Sequence, residues 1–266
     1  MTVTAPHLPL PTPARVAAAV RGGRPVERAC YLIAAALIVS GAVHLGVAAA
    51  LPRPWDGPLS WRKAVTFGAS FGTVLAGITW VTCYLRMHDR TRAVLLGVFA
   101  ADCVVEVAGI TVQTWRHVPS HLNTVGPLNT LIALSLAVGG GVLIAVLGAF
   151  AVVALRGRID APPPMRRALR AGFSLLLAAL ASGAAMIARG EVLIRQGHRT
   201  LAYDEAGFLK WFHGITLHAV LVLPALAWVL ARTHLDERRQ QRVVTAGVAA
   251  YLLAAAVALV VNVALA

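Results

Sequence analysis

The chain has 266 residues, 58% of them hydrophobic and 13% charged, with a mean hydropathy of +0.73. Soluble domains carry about 25% charge, so this composition excludes an ordinary soluble domain and implies a polytopic membrane protein. The net charge of +13 does not mark a nucleic-acid partner, because no basic stripe carries interleaved aromatics.

From the N-terminus, Met1–Val26 is rich in Pro, Ala and Arg and lacks hydrophobic periodicity. It reads as a disordered cytoplasmic tail (residues 1–26) ahead of a transmembrane domain (27–266). A cleaved signal peptide is disfavoured by the length of the stretch before the first apolar run. A bilayer core about 30 Å thick needs about 20 residues of helix at 1.5 Å each. Seven runs qualify: Ala29–Leu51, Trp61–Leu85, Ala93–Trp115, Pro127–Leu155, Leu169–Ala188, Phe208–Ala231 and Val243–Leu265. The expected fold is all-α, a seven-helix transmembrane bundle in the cytoplasmic membrane.

Sixteen of the 24 Lys and Arg fall in alternate segments, around Arg15–Arg28, Arg86–Arg92, Arg156–Arg170 and Arg232–Arg242. Excess positive charge marks cytoplasmic segments, which places the N-terminus inside and the C-terminus outside. Cys30, Cys83 and Cys103 lie within predicted spans, so no extracellular disulfide framework is implied.

The spans carry a sparse set of polar residues. The first contains His44. The second begins with Arg62 and Lys63, which either snorkel to headgroups or bind an anionic ligand, and continues through Thr66 and Ser70 with a Gly68/Gly72 step suited to close helix packing. The third holds Asp102 and Glu106 one turn apart, a costly placement in a bilayer, followed on the same face by Gln113 and Arg116. Asn129 and Gly139-Gly140-Gly141 mark the fourth, and Pro224 is expected to kink the sixth. Trp61, Trp115 and Trp211 read as an interfacial belt, and Arg189–Gly207 reads as a long outer loop, either solvated or a lid.

Helix rise places His44, Glu106 and His218 at one depth, about 10–14 Å below the outer boundary. We therefore expect them to converge on a polar pocket open to the outside. Two imidazoles and a carboxylate suit a divalent metal such as zinc or non-haem iron, although His213 and His218, five residues apart, face about 140° from each other. His44 and His218 could alternatively be axial ligands of a haem. A third reading makes Asp102 and Glu106 catalytic, as a general acid toward a lipid-like substrate, or the proton relay of a small-solute transporter. Two such carboxylates repel when both are ionised, which favours one shared proton.

The segments Ser60-Trp61-Arg62-Lys63 with Phe67-Gly68, Glu106 with Gln113, Ser120-His121-Leu122-Asn123, and His213-Gly214 with Leu217-His218 and Leu223-Pro224 resemble a family of bacterial seven-helix integral membrane proteins. That family is frequent in actinomycetes, has no assigned activity, and shows SWRK, SHxN and HGxxLH motifs. The chain departs from its pattern at Ala64 and Leu122, where Pro and Phe are expected. With the polar stripe on the third span, the resemblance makes Arg62, Lys63, Gln113, Arg116, Ser120, His121, Asn123 and His213 the candidate ligand- or cofactor-binding residues. Ser40, His44 and Asp102 are also similar to positions of zinc-binding seven-helix membrane hydrolases, but the His-xxx-His of their last helix is missing from Val243–Leu265.

Overall fold

The computed structural model describes residues 24–51, 55 and 57–264. The tail expected over 1–26 lies outside these residues except for its last three, where Pro25 already opens the first helix. The chain order is α1 (Pro25–Ala50), α2 (Arg62–Val81), α3 (Asp89–Trp115), α4 (Pro127–Arg156), α5 (Pro163–Arg195), α6 (Arg199–Glu205), α7 (Lys210–Leu230) and α8 (Glu237–Ala264). Proline in the first turn of α1, α4 and α5 supplies a preset backbone angle where no amide bond is lost. Seven helices, all but the short α6, are long and apolar enough to span a membrane. The protein is thus an all-α, multi-pass integral membrane protein, as its hydropathy indicates.

Glycines set the closest helix approaches. A Cβ on Gly68 would stand 2.8 Å from the amide nitrogen of Gly41, and one on Gly72 would stand 2.6 Å from the carbonyl oxygen of Ala34, so α1 and α2 lie backbone against backbone. Where no hydrophobic force separates helix from lipid, this intimacy supplies the packing energy. Gly172 does the same for α5 on α7, where its Cβ would meet Val220 Cα at 2.8 Å. That contact falls where Pro224, four residues on, cannot donate to the Val220 carbonyl. The helix from Lys210 to Leu230 is nevertheless continuous through Pro224, which is buried.

Among the described residues, the arginine-rich segments from Arg24, Arg86, Arg156 and Arg232 onward lie at one end of the bundle. Arg92 is buried there, paired with Glu27 of α1, and also donates to Thr82 Oγ1 (3.2 Å) and the Thr79 carbonyl (2.9 Å). Arg24 pairs with Asp89 at 2.6 Å. The Arg86 amide donates to the Arg158 carbonyl at 3.0 Å, and the Asp160 amide donates to the Tyr84 carbonyl at 2.9 Å. Below this end lies the apolar core, with Leu75, Ile78, Leu96, Phe99, Phe150 and Phe173 fully enclosed.

The opposite, far end differs from the sequence expectation in one element. Residues 189–207 are not an open loop: α5 runs on to Arg195, and α6 follows after three residues, Gln196 to His198. Arg189 pairs with Glu205 and stacks over the Phe208 ring at 5.3 Å, while Ala202 is buried. The segment's charges hid its helical pattern from a hydropathy reading, because a helix leaving the bilayer can take polar residues on all but one narrow face.

Candidate functional site

Three separate polar assemblies occupy the far half of the bundle. The first is built on α1, α2 and α3. His44 Nε2 accepts from Trp115 Nε1 at 3.0 Å, so its Nδ1–H donates to the Ser40 carbonyl at 2.7 Å. Trp61 and Trp115 meet edge to face at 4.9 Å, with the His117 ring 6.4 Å from Trp61. Trp61 is 2% exposed and belongs to this aromatic core rather than to the interfacial belt expected from its position. Trp115 and Trp211 are exposed and fit the belt.

The second assembly joins α3 to α4. Glu106 and Asp102, 3% and 8% exposed, both face Gly139, where a Cβ would stand 2.6 Å from Glu106 Oε1 and 2.8 Å from Asp102 Oδ1. The glycine is what makes room for the pair. Among the described residues no hydrogen-bond donor reaches buried Asp102 Oδ2, and no cation pairs with either carboxylate. Two turns toward the far surface, Gln113 is fully buried and donates to Asn129 Oδ1 at 3.2 Å, while Arg116 reaches Gln113 Oε1 (2.5 Å) and Asn129 Oδ1 (2.6 Å). Gln113 and Arg116 therefore latch α3 to α4.

The loop that follows explains the Ser120, His121 and Asn123 cluster. His117 and Leu122 both take left-handed backbone angles, φ 58° and 62°. His117 closes α3 as the Val118 amide donates back to the Gln113 carbonyl at 3.1 Å. Asn123 is buried, donates to the Pro119 carbonyl (3.2 Å) and accepts from the Val125 amide (3.2 Å). Leu122 Cδ1 fills the space a side chain on Gly190 would occupy. His121 shares a 3.0 Å hydrogen bond with Ser120 and lies against Phe67, 6.0 Å between ring centres. Burial, with Lys63 nearby adding to it, pushes the His121 imidazole down to about 4, so the ring is neutral at physiological pH. These polar groups brace the loop internally, while the His121 ring against Phe67 and the Leu122 side chain at Gly190 seat it on α2 and α5.

The third assembly is a cavity of about 560 Å³ at the far end, between α2, α7 and α8. Its walls include Phe67, Phe71, Trp211, Leu217 and Tyr251, and its polar groups include Thr66, Ser70, Lys210, His213 and His218. His218 Nδ1 donates to the Gly214 carbonyl at 2.7 Å, which leaves Nε2 as the acceptor, 3.3 Å from Ser70 Oγ. His213 Nδ1 likewise donates to a carbonyl, that of Ala179 on α5 at 2.9 Å, and lies 3.3 Å from Ser182 Oγ. Both imidazoles are held in the tautomer whose Nε2 accepts.

The expected convergence of His44, Glu106 and His218 does not occur. His218 lines the far-end cavity, His44 is bonded to Trp115, and Glu106 faces Gly139. Equal depth fixes the layer of a residue but not its direction around the helix axis. Among the described residues no three of His, Cys, Asp and Glu are grouped to hold a metal ion, so the geometry does not assemble the triad. The bis-histidine haem reading meets the same obstacle, because both His44 nitrogens are engaged and, of His44 and His218, it is His218 that lines the cavity. Arg62 and Lys63 open α2, with the Lys63 charge near enough to His121 to disfavour its protonation. Cys30 and Cys103 are buried and Cys83 is exposed, all as free thiols.

Sequence reading passed over Lys210 and Tyr251, and took Trp211 only as a belt residue. Lys210 and Trp211 stand at the start of the sixth run and Tyr251 within the seventh, where each reads as an ordinary amphipathic residue. Comparison with protein-family models, curated proteins and solved structures finds no match to this chain.

Proposed function

We propose that the protein is a membrane-embedded acid–base protein whose far-end pocket binds an amphipathic, lipid-like molecule and presents Ser70 and His218 to its polar group. The observation that carries this reading is the Ser70–His218 hydrogen bond inside a mostly apolar cavity. A volume of about 560 Å³ falls in the range of small-molecule sites, about 300–1,000 Å³. The aromatic walls suit an apolar tail, and Lys210, with its ammonium 5.6 Å over the Trp211 ring, suits an anionic or carbonyl head at the mouth. The charge distribution that marks the arginine-rich end as cytoplasmic turns the pocket to the outer face.

The chemistry available is general-base activation of a hydroxyl. His218 Nε2 takes the Ser70 proton as the serine oxygen bonds to an acyl carbon, and the same proton then passes to the leaving oxygen as its bond to carbon breaks. A lipophilic fluorophosphonate tests this step, since an activated serine oxygen displaces fluoride to form a P–O bond. Ser70 becomes labelled in the native protein, and His218→Gln slows labelling by about 100-fold. Labelling at equal rates in the variant, or none in the native chain, contradicts the step.

A second reading has its own observation, the buried Asp102–Glu106 pair with an unpaired carboxylate oxygen. It supports a proton- or cation-binding site in a transporter or sensor, because intramembrane carboxylates commonly mark such paths. On this reading Glu106→Gln abolishes proton-linked solute uptake into vesicles while leaving Ser70 labelling unchanged.

A further inference from the structure

The geometry points to a specific binding site for an anionic phospholipid in the groove between the starts of α5 and α8, at the arginine-rich end. The groove holds about 650 Å³ and is lined by Arg167, Arg238, Gln241, Arg242, Thr245, Ala246 and Ala249. Arg167 donates to Thr245 Oγ1, which ties the guanidinium of α5 to the face of α8. Among the described residues none of the three arginines has a carboxylate partner: Asp236, the nearest acid in sequence that forms an ion pair, is engaged by Arg239 at 3.5 Å. Three cations held together without a counter-ion repel each other unless an anion joins them.

The groove's polarity is graded along its length, and that gradient selects the ligand. Arginines, a glutamine and a threonine form the rim, while Ala246 and Ala249 form the wall deeper along α8. From Arg242 to Ala249 the helix rises about 10 Å, which carries the wall from the headgroup level into the hydrocarbon. Small side chains there leave a slot that an acyl chain fills, flanked by exposed Leu252 and Leu253. A guanidinium pairs with a phosphodiester through two parallel hydrogen bonds, and basic pockets between transmembrane helices suit anionic headgroups. A free phosphate would satisfy the arginines but leave the alanine wall unused.

Native mass spectrometry of the purified full chain, titrated with phosphatidylglycerol or phosphatidylcholine, tests the assignment. We expect at least about tenfold preference for phosphatidylglycerol, abolished in Arg238→Gln/Arg242→Gln and retained in Arg156→Gln, whose side chain is also exposed but lies outside the groove. Ala249→Trp, which fills the slot without touching a charge, weakens retention to the same degree. Equal retention of the two lipids, unchanged retention in the double variant, or displacement by glycerol phosphate at lipid-like concentrations would each overturn the proposal. If the double variant does not fold, Ala249→Trp and the glycerol phosphate competition decide it on their own.

Discussion

Ser70 on α2 and His218 on α7 stand 148 residues apart in the chain and 3.3 Å apart in the fold. Their contact closes the bundle on itself: α2 packs on α1 and α3, while α7 packs on α5 and α8. A bond at this seam both joins the two halves and borders the cavity. It is therefore the place where a ligand could act on the whole bundle.

The acid pair depends on a missing side chain. Gly139→Ala places a methyl within 2.8 Å of both carboxylates, and we expect a loss of about 1–3 kcal/mol as the pair is forced aside. Glu106→Ala in the same chain restores most of the loss by opening space, whereas Glu106→Gln restores little because the amide keeps the volume. Thermal unfolding in detergent of the native chain and these three variants reads the difference.

At the arginine-rich end, part-buried Glu27 is linked across 65 residues to Arg92, which is buried. Removing one partner strands the other, so Glu27→Ala should cost about 3–5 kcal/mol. Glu27→Ala/Arg92→Met should cost less than Glu27→Ala alone, because no charge is left buried. A double variant as unstable as the single one would show that the ion pair is not what holds α1 to α3.

The His121 loop is expected to loosen in acid. Its imidazole titrates near 4 when folded, against 6.5 in the open chain, so the folded state resists the proton that the unfolded state accepts. Stability from this group is fully present above pH 6.5 and is lost progressively as pH falls toward 4, by about 3 kcal/mol at most. Comparing melting curves of the native chain and His121→Gln from pH 7 to pH 4 isolates it. The difference between them should narrow with falling pH, and a constant difference would contradict the assignment.

Much of the architecture was legible in hydropathy alone, since α1–α5, α7 and α8 follow the apolar runs to within a few residues except where polar turns extend α5 and α8 beyond the bilayer. The Gly68/Gly72 step likewise announced a close helix contact, though not that Gly41 receives it. The site was harder to read. Depth follows from counting residues, but the azimuth that sends His44 to Trp115 and His218 to Ser70 depends on how helices rotate against their neighbours. Glu27 with Arg92, and Trp61 with Trp115, escaped notice for the same reason: each pair forms between helices, and no local spacing encodes it.

The most direct test of the pocket is whether filling it removes ligand binding. Gly214 lines the cavity, and a Cβ there meets nothing within 4 Å, so the side chain of Gly214→Phe starts in open space and reaches into the cavity. Quenching of Trp211 by a fatty acid brominated along its chain, taken as the signal lost in Trp211→Phe, reports occupancy. We predict saturable quenching in the native protein, reduced at least about tenfold in apparent affinity by Gly214→Phe while the melting temperature is unchanged. Identical quenching curves for the native chain and Gly214→Phe would contradict a ligand-binding role for this pocket.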